Sequence, residues 1–292
     1  MTGTGISADG REVRGRDVQA GSHRLRVYTC GDPSKPAVLF VHGSGPGVSA
    51  PSNWAHLMPS FAEDYYCIAP DVLGFGDSEH PDPAPTGGMP QYTTVRALSL
   101  IALLDALGVA TAHFVGNSMG GMITLRVAQL APGRIEKMIL MGSGGAPIPP
   151  TPDLMKLITF YQDPSPEAMA DLLVRFVDDT DLFAGRLEEI ARTRVALATR
   201  DDVRRSHLAT FDPGFGPVTY TADDLAGIRH QALVLHGRED RMLPVAAGYY
   251  LAEHLPNARL HVLPHAGHWI QVEQAAAFSA QARLFLAEEI AE

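Results

Sequence analysis

The chain has 292 residues, of which 46% are hydrophobic, and its formal net charge is −10 at pH 7. This length allows one substantial core, and the acidic balance without a cluster of lysine or arginine disfavours nucleic acid and anionic membranes as partners. No apolar run approaches the ~20 residues of a membrane span, and two cysteines do not make a disulfide framework. We therefore expect a globular, cytoplasmic protein that acts on a small-molecule substrate.

The first half of the chain alternates strand-like and helix-like segments. Residues 1–22 lack the apolar core of a signal peptide and are expected to form a poorly ordered lead-in. Residues 23–29 alternate apolar and polar side chains, as an outer strand does. Further strands are predicted at residues 37–41, 65–69, 112–115 and 137–141, and helices at 54–61, 94–107 and around 119–130. Such alternation predicts a mostly parallel sheet with helices on both faces.

The alternation stops in the middle of the chain. Residues 147–224 show no buried strand and contain helical runs at 166–177 and 182–198. Strands are predicted again at 232–236 and 259–263, and the last helix at 275–290. The prediction is therefore an α/β core made of residues 23–146 and 225–292, with residues 147–224 inserted as a helical lid over the carboxyl edge of the sheet. A helical subdomain with a purely structural role is the alternative.

The stretch HFVGNSMGGMITL places Ser118 at a strand-to-helix junction with almost no loop. This Gly-x-Ser-x-Gly pattern is typical of a nucleophile elbow, in which a sharp turn holds a hydroxyl at the N-terminus of a helix. A glycine-rich turn with an incidental serine is the other interpretation. The functional one requires a base and an acid elsewhere in the chain.

The later strands supply candidates for both groups. Asp240, in HGRED, follows the strand predicted at 232–236, and His268, in HAGHW, follows the strand predicted at 259–263. The order Ser118, Asp240, His268 is that of a triad on this kind of fold. Glu239 is the nearest alternative for the acid and His265 for the base.

An acyl-transfer site also needs donors for the oxyanion. The backbone N–H of Met119, directly after the nucleophile, is one candidate, and that of Ser44 in HGSGPG is the other. Glycines such as Gly43 let this loop curl toward the site. Asp71 and Asp77 in DVLGFGDS are expected to cap turns rather than to react.

Taken together, the motifs HGSGPG, DVLGFGDS, GNSMGG, HGRED and GHW resemble those of the α/β-hydrolase superfamily from about residue 23 to the end. The likeness is greater still to the meta-cleavage product hydrolases, serine-dependent C–C bond hydrolases of bacterial aromatic catabolism such as the 2-hydroxymuconate semialdehyde hydrolases. Its specific marks are the SNW after HGSGPG, Asn117 before the nucleophile, and the HWIQ that begins at His268. A serine at position 118 is unlike haloalkane dehalogenases and epoxide hydrolases, whose nucleophile is an aspartate.

The resemblance implies a reaction and a binding group. The substrate would be a vinylogous 1,5-diketone, a 2-hydroxy-6-oxo-dienoate, ketonised in the site and cut by water to a 2-hydroxydienoate and a carboxylic acid. The implied substrate-binding residues are Gly43, Asn53, Asn117, Arg194 and Trp269. Arg192 and Arg200 remain alternatives to Arg194 as the cation that holds the carboxylate.

No cofactor is predicted. The sequence has no metal-ligand spacing and no dinucleotide fingerprint, and HGSGPG lacks the Lys-Ser/Thr of a phosphate-binding loop. A homodimer or higher homo-oligomer is left open. Three rival functions also remain open: a carboxylesterase or lactonase, a tailoring hydrolase of a biosynthetic pathway, and a ligand-binding or cyclase-like protein with little turnover.

Overall fold

The computed structural model describes residues 11–289, which form eight β-strands and twelve α-helices. The strands are β1 (Arg14–Ala20), β2 (His23–Cys30), β3 (Ala37–Val41), β4 (Tyr66–Pro70), β5 (Ala112–Asn117), β6 (Ile135–Met141), β7 (Gln231–Gly237) and β8 (Ala258–Leu263). The helices are α1 (Ala50–Trp54), α2 (Met58–Phe61), α3 (Gly88–Ala106), α4 (Met119–Leu130), α5 (Pro152–Ile158), α6 (Pro166–Leu173), α7 (Leu187–Ala198), α8 (Asp201–Thr210), α9 (Ala222–Ala226), α10 (Ala246–His254), α11 (Ile270–Glu273) and α12 (Ala275–Ala287). Between residues 11 and 289, no helix is both long and apolar enough to cross a membrane.

All eight strands belong to one sheet in the order β1-β2-β4-β3-β5-β6-β7-β8. The pairs β1·β2 and β2·β4 are antiparallel, and every pair from β4 to β8 is parallel. The predicted mostly parallel sheet is confirmed. Because parallel strands share a direction, the loops after β3, β5, β6, β7 and β8 meet at one edge of the sheet.

Helices cover both faces of this sheet. Alternate residues of β3 enter two separate apolar clusters: Leu39 packs with residues of α3, α4 and α10, and Phe40 with residues of α1, α2 and α12. A parallel strand buried on both sides reads as a continuous apolar run, and β3 is AVLFV with every residue buried. Two buried layers hold the strand ends in fixed positions.

The prediction of a poorly ordered lead-in is wrong for its second half. Strand β1 pairs with β2 along its whole length and forms the outer edge of the sheet, so residues 23–29 are not the outer strand. Only Val18 and Ala20 of β1 are buried. Such a strand carries almost no hydrophobic pattern, and its backbone pairing is invisible in the sequence. Residues 1–10 lie outside the described residues.

Between β6 and α9 the chain forms α5 to α8, within the segment expected to be a lid. The predicted end at residue 224 falls inside α9, whose Leu225 is buried in the same cluster as Leu39. Tyr220 also belongs to that cluster and donates its hydroxyl to the Met122 carbonyl at 2.6 Å. The chain has therefore rejoined the core by Tyr220. We use "lid" below for residues 147–219.

Two predicted helices are divided in the structure. The run at 182–198 is a 3₁₀ turn (Thr180–Phe183) followed by α7, because Ala184 and Gly185 adopt positive φ angles of 46° and 74° between them. The stretch at 54–61 is separated into α1 and α2. The other predicted strands and helices lie within a few residues of the observed ones, except that α6 ends at Leu173 and α3 begins at Gly88. The predicted end of the last helix, residue 290, lies outside the described residues.

Candidate active site

Ser118 lies at the junction of β5 and α4 in a strained conformation, with φ 56° and ψ −116°. Its own N–H donates to the Met141 carbonyl at 2.9 Å, which ties the turn to the end of β6. Gly120 makes the turn sterically feasible, since a Cβ there would lie 2.1 Å from the Val41 carbonyl oxygen. A strained residue held by its surroundings at a strand end is the geometry of a nucleophile elbow.

His268 and Asp240 form a buried pair at the same edge of the sheet. The Nδ1 of His268 lies 2.7 Å from Oδ2 of Asp240, and both side chains are almost fully buried. A carboxylate only accepts, so Nδ1 carries a proton, and Nε2 is the nitrogen whose lone pair is available for a base when the imidazole is neutral. Gly142 follows Met141, whose carbonyl accepts the Ser118 N–H, and a Cβ on Gly142 would lie 3.1 Å from His268 Nδ1. The imidazole therefore lies beside the turn that carries Ser118.

Donors surround the Asp240 carboxylate. Its Oδ1 accepts the backbone N–H groups of Met242 and Leu243 at 2.8 and 2.9 Å, and its Oδ2 faces His268. Burial by itself would raise the pKa of Asp240, but attraction to His268 and hydrogen bonding with His236 outweigh it and hold that pKa well below the usual range. Asp240 is therefore ionised throughout the physiological range.

His236 is a second imidazole at this carboxylate, and the sequence reasoning missed it. Its Nε2 lies 2.9 Å from the Leu243 carbonyl and 3.4 Å from Oδ2 of Asp240, and its ring is fully buried. Because a carbonyl only accepts, Nε2 carries the proton and points at both oxygens. The only sequence signal was its place at the end of β7, four residues before Asp240.

Within residues 11–289, neither predicted oxyanion donor, the backbone N–H of Ser44 or that of Met119, has a protein acceptor. Both residues line one cavity together with Ser118. A Cβ on Gly43 would lie 3.0 Å from Cβ of Ser118, so the loop after β3 runs directly against the elbow. Two free N–H groups beside the hydroxyl are what an oxyanion hole requires.

The three arginines that sequence analysis left as alternatives have different surroundings. Arg192 is exposed and paired with Glu188 at 2.7 Å, and Arg200 binds both Asp77 and Asp202. Arg194 is partly buried, donates only to the Pro46 carbonyl at 3.3 Å, and has no carboxylate within 4 Å among the described residues. Burial lowers the pKa of Arg194 to about 10, which leaves it protonated at neutral pH. Arg194 is thus a cation with unused donors.

Arg194 lies against the loop that carries Ser44. A Cβ on Gly45 would lie 3.5 Å from Arg194 Nη2, and the Pro46 carbonyl accepts from Arg194 Nε. Arg194 is not among the residues that line the cavity beside Ser118. The Arg194 guanidinium and the cavity beside Ser118 are therefore two separate parts of the site, and both adjoin the loop that carries Ser44.

The remaining predicted binding residues are held by protein groups. Asn53 is buried on α1 with its amide nitrogen 3.3 Å from the Ser49 carbonyl, and Asn117 donates to the Met141 carbonyl at 3.1 Å. Trp269 stacks on Phe176 of the lid, with ring centroids 4.5 Å apart. None of these three residues lines the cavity beside Ser118. Their binding roles stay predictions.

Phe176 is a second residue that the sequence did not single out. Its carbonyl accepts the backbone N–H groups of His268 and Trp269 at 2.8 and 3.2 Å, and its ring lies 5.7 Å from that of His268. The lid therefore holds the loop that carries the candidate base. A backbone carbonyl has no signature in sequence, which explains the omission.

Asp71 caps turns, as predicted, whereas the Asp77 carboxylate forms an ion pair with a lid arginine instead. Asp71 is buried and accepts the backbone N–H groups of Ala50 and Asp77 at 2.6 and 2.9 Å, and burial raises its pKa to about 6. Asp77 pairs with Arg200 of the lid at 2.9 Å. Neither carboxylate lines the cavity beside Ser118.

The chain matches a protein family of known fold and is similar to named bacterial hydrolases. Residues 36–275 match the family model described as alpha/beta hydrolase fold. A 2-hydroxymuconate semialdehyde hydrolase of Pseudomonas sp. (strain CF600) is 38% identical, with 94% of each chain covered. A 2-hydroxy-6-oxononadienedioate/2-hydroxy-6-oxononatrienedioate hydrolase of Burkholderia vietnamiensis is 34% identical, with 98% of this chain and 99% of that protein covered.

The fold was compared with solved structures. The 2-hydroxy-6-oxo-6-phenylhexa-2,4-dienoate hydrolase of Rhodococcus sp. strain RHA1 superposes with a TM-score of 0.90 and 36% identity. The superposition covers 95% of this chain and 99% of that one. The similarity thus extends through both the core and the lid.

Proposed function

Since the chain belongs to the α/β-hydrolase fold family, we propose that it is a serine-dependent hydrolase of a 2-hydroxy-6-oxo-dienoate, the product of aromatic ring cleavage. Water is added across a C–C bond, and the products are a 2-hydroxydienoate and a carboxylic acid. The observation that carries this proposal beyond a general hydrolase is Arg194, a partly buried guanidinium with no carboxylate partner among the described residues, beside the Ser44 loop. A dienoate brings the carboxylate that this cation lacks.

Anchoring the anionic end determines which bond reacts. With its carboxylate on Arg194, the substrate extends past Ser44 and presents its 6-oxo group to the N–H groups of Ser44 and Met119. The dienol first becomes its keto tautomer, which places a proton on C5. This step is necessary because the electron pair of the breaking C5–C6 bond must flow into a conjugated carbonyl.

The triad then cleaves the bond. Ser118 Oγ attacks C6 while His268 Nε2 takes its proton, and Asp240 stabilises the resulting imidazolium. The negative charge on the C6 oxygen is stabilised by the two free N–H groups. The C5–C6 electron pair leaves as the dienolate, which takes the proton from the His268 imidazolium and becomes the 2-hydroxydienoate. Neutral His268 then serves again as the base for the water that releases the acid from Ser118.

A spectrophotometric assay tests the proposal. The ring-cleavage products of catechol, 3-methylcatechol and 2,3-dihydroxybiphenyl are yellow, and hydrolysis bleaches them. We expect at least one of them to be hydrolysed with a kcat/KM at least tenfold above that for p-nitrophenyl acetate. Rapid hydrolysis of p-nitrophenyl esters with no bleaching of any of the three would instead identify a carboxylesterase on the same fold.

A further inference from the structure

The cavity beside Ser118 has a mostly apolar wall. It has a volume of about 310 Å³ and extends from Ser118 and Met119 toward the lid. Its wall is built mainly of apolar side chains from the core and the lid, among them Met89, Met122, Leu154, Ile158 and Phe215. The part of the substrate that enters this cavity therefore moves from water into apolar surroundings.

Two polar side chains of the wall, those of Asp212 and Thr210, carry no positive charge. Asp212 is exposed and uses Oδ1 to accept the Gly214 N–H at 2.8 Å. The Thr210 hydroxyl donates to the Ser206 carbonyl at 2.7 Å and accepts from Arg96 at 2.9 Å. Among the described residues, no lysine or arginine lines the cavity, and its one charged side chain is negative.

Arg96 is the cation directly behind this wall, and its surroundings already engage it. It is fully buried, donates to the Leu73 carbonyl at 3.0 Å and to Thr210, and lies over the rings of Phe75 and Tyr92. Its Nη1 lies 3.4 Å from Met119 Sδ, and Met119 and Thr210 both line the cavity, so a carboxylate there could reach Arg96 only by displacing one of these side chains. Arg96 therefore does not supply the missing positive charge.

We infer that the enzyme selects dienoates whose substituent on C6 is neutral and apolar, about as large as a phenyl ring, and discriminates against a substituent that ends in a carboxylate. This inference rests on the proposed function, in which Arg194 binds the dienoate carboxylate and C6 lies at Ser118. An apolar cavity of roughly 150 Å³ already binds benzene, so a phenyl group fits in this one. A carboxylate would lose its water without gaining a partner and would face Asp212.

Relatives of similar identity do not decide this point. The semialdehyde hydrolase, the dioate hydrolase and the phenyl-dienoate hydrolase are 38%, 34% and 36% identical to this chain, and their named substrates differ at this substituent. The chemistry of the wall is what distinguishes the candidates for this chain.

Three substrates that differ only at C6 test the inference: the 6-phenyl, 6-methyl and 6-(2-carboxyethyl) dienoates. Each buried methylene contributes roughly fourfold to kcat/KM, so we expect the phenyl compound to exceed the methyl compound at least tenfold. We expect it to exceed the carboxyethyl compound at least about 100-fold. Equal kcat/KM values for the phenyl and carboxyethyl compounds would overturn the inference and leave the proposed function intact. Failure to bleach any of the three would overturn both.

A positive charge introduced into the wall tests whether charge or shape excludes the carboxyethyl compound. Met155 lines the cavity from α5 and is 39% exposed, so a long polar side chain is tolerated there. Met155→Arg should raise kcat/KM for the carboxyethyl compound at least tenfold over the neutral control Met155→Gln, and should not do so for the phenyl compound. If the two variants treat the carboxyethyl compound alike, the absence of a cation is not what excludes it, and the electrostatic argument is wrong.

Discussion

Arg194 is the residue whose removal best distinguishes the proposed C–C hydrolase from an esterase. We expect Arg194→Ala and Arg194→Gln to lower kcat/KM for a ring-cleavage product while leaving a neutral ester nearly unaffected. The guanidinium donates only to the Pro46 carbonyl in the described part of the chain, so its remaining donors are free for the substrate. The neutral ester has no carboxylate to lose.

The size of the loss follows from the surroundings of Arg194. Two unit charges about 4 Å apart attract by roughly 4 kcal/mol at an effective dielectric constant of 20, and truncating one partner of a buried charged contact costs about 2–5 kcal/mol. Arg194 is partly rather than fully buried, which argues for the lower part of that range. At 1.4 kcal/mol per tenfold, kcat/KM should fall roughly 30- to 300-fold. Hydrolysis of p-nitrophenyl butyrate should change less than about fivefold.

The same helix provides a matched control. Arg192 is exposed and pairs only with Glu188 one turn away, a kind of surface pair worth a few tenths of a kcal/mol. Arg192→Ala should therefore change kcat/KM less than about twofold on either substrate. Equal losses on both substrates in Arg194→Ala would refute the carboxylate role, because they would indicate that Arg194 acts by holding the Pro46 loop and Ser44.

Four further substitutions test the proposed triad and the groups around it. Ser118→Ala should lower kcat at least about 10³-fold in the bleaching assay. Its melting temperature should stay within a few degrees of the parent's, because little packing is lost. Activity within tenfold of the parent would exclude the serine mechanism. Asp240→Asn should lower kcat roughly 10⁴-fold. Glu239→Gln should lower it less than about fivefold, because that carboxylate pairs with the exposed Arg238. A larger loss in Glu239→Gln than in Asp240→Asn would mean that the acid is misassigned. His236→Phe should lower kcat about tenfold with KM little changed, because Asp240 loses a neighbouring N–H donor; a rise in KM alone would show that His236 acts on substrate binding instead.

The sequence predicted the residues that sit at strand ends and carry reactive groups. The elbow at Ser118 and the loops after β7 and β8 have motifs because a sharp turn demands glycine and because the reactive side chains have few substitutes. Parallel strands bring such loops to one edge without any further information. This explains why Asp240 and His268, 28 positions apart, could be proposed as a pair and lie 2.7 Å from each other.

Contacts made by backbone or by polar surface were not predictable in the same way. Strand β1 is mostly exposed, so its pairing with β2 left no hydrophobic period. The Phe176 carbonyl supports the His268 loop through an atom that every residue possesses. The choice of Arg194 over its neighbours depends on where α7 packs, and helix periodicity alone does not fix which side faces the loop after β3.

Gly142 shows how closely the backbone approaches the candidate catalytic pair, and it provides the last prediction. Its φ is +47°, and a Cβ would lie 3.1 Å from His268 Nδ1 and 3.3 Å from Asp240 Oδ2. Gly142→Ala therefore imposes both backbone strain and a displacement of the imidazole. Gly108 also has a positive φ, +70°, but a Cβ there would meet nothing within 4 Å.

The comparison of the two alanine variants isolates the displacement. Each should lose about 1–2 kcal/mol of unfolding free energy from the left-handed conformation, measured by urea denaturation. Only Gly142→Ala should also lower kcat, by up to about tenfold, since a shift of about 1 Å at a reacting group costs roughly 100-fold and the imidazole has to move by only a few tenths of an ångström. If Gly108→Ala lowers kcat as much, the loss follows from destabilisation. If neither variant lowers kcat, the position of His268 against Gly142 is not critical to the reaction, because the imidazole can move by several tenths of an ångström and still serve as the base.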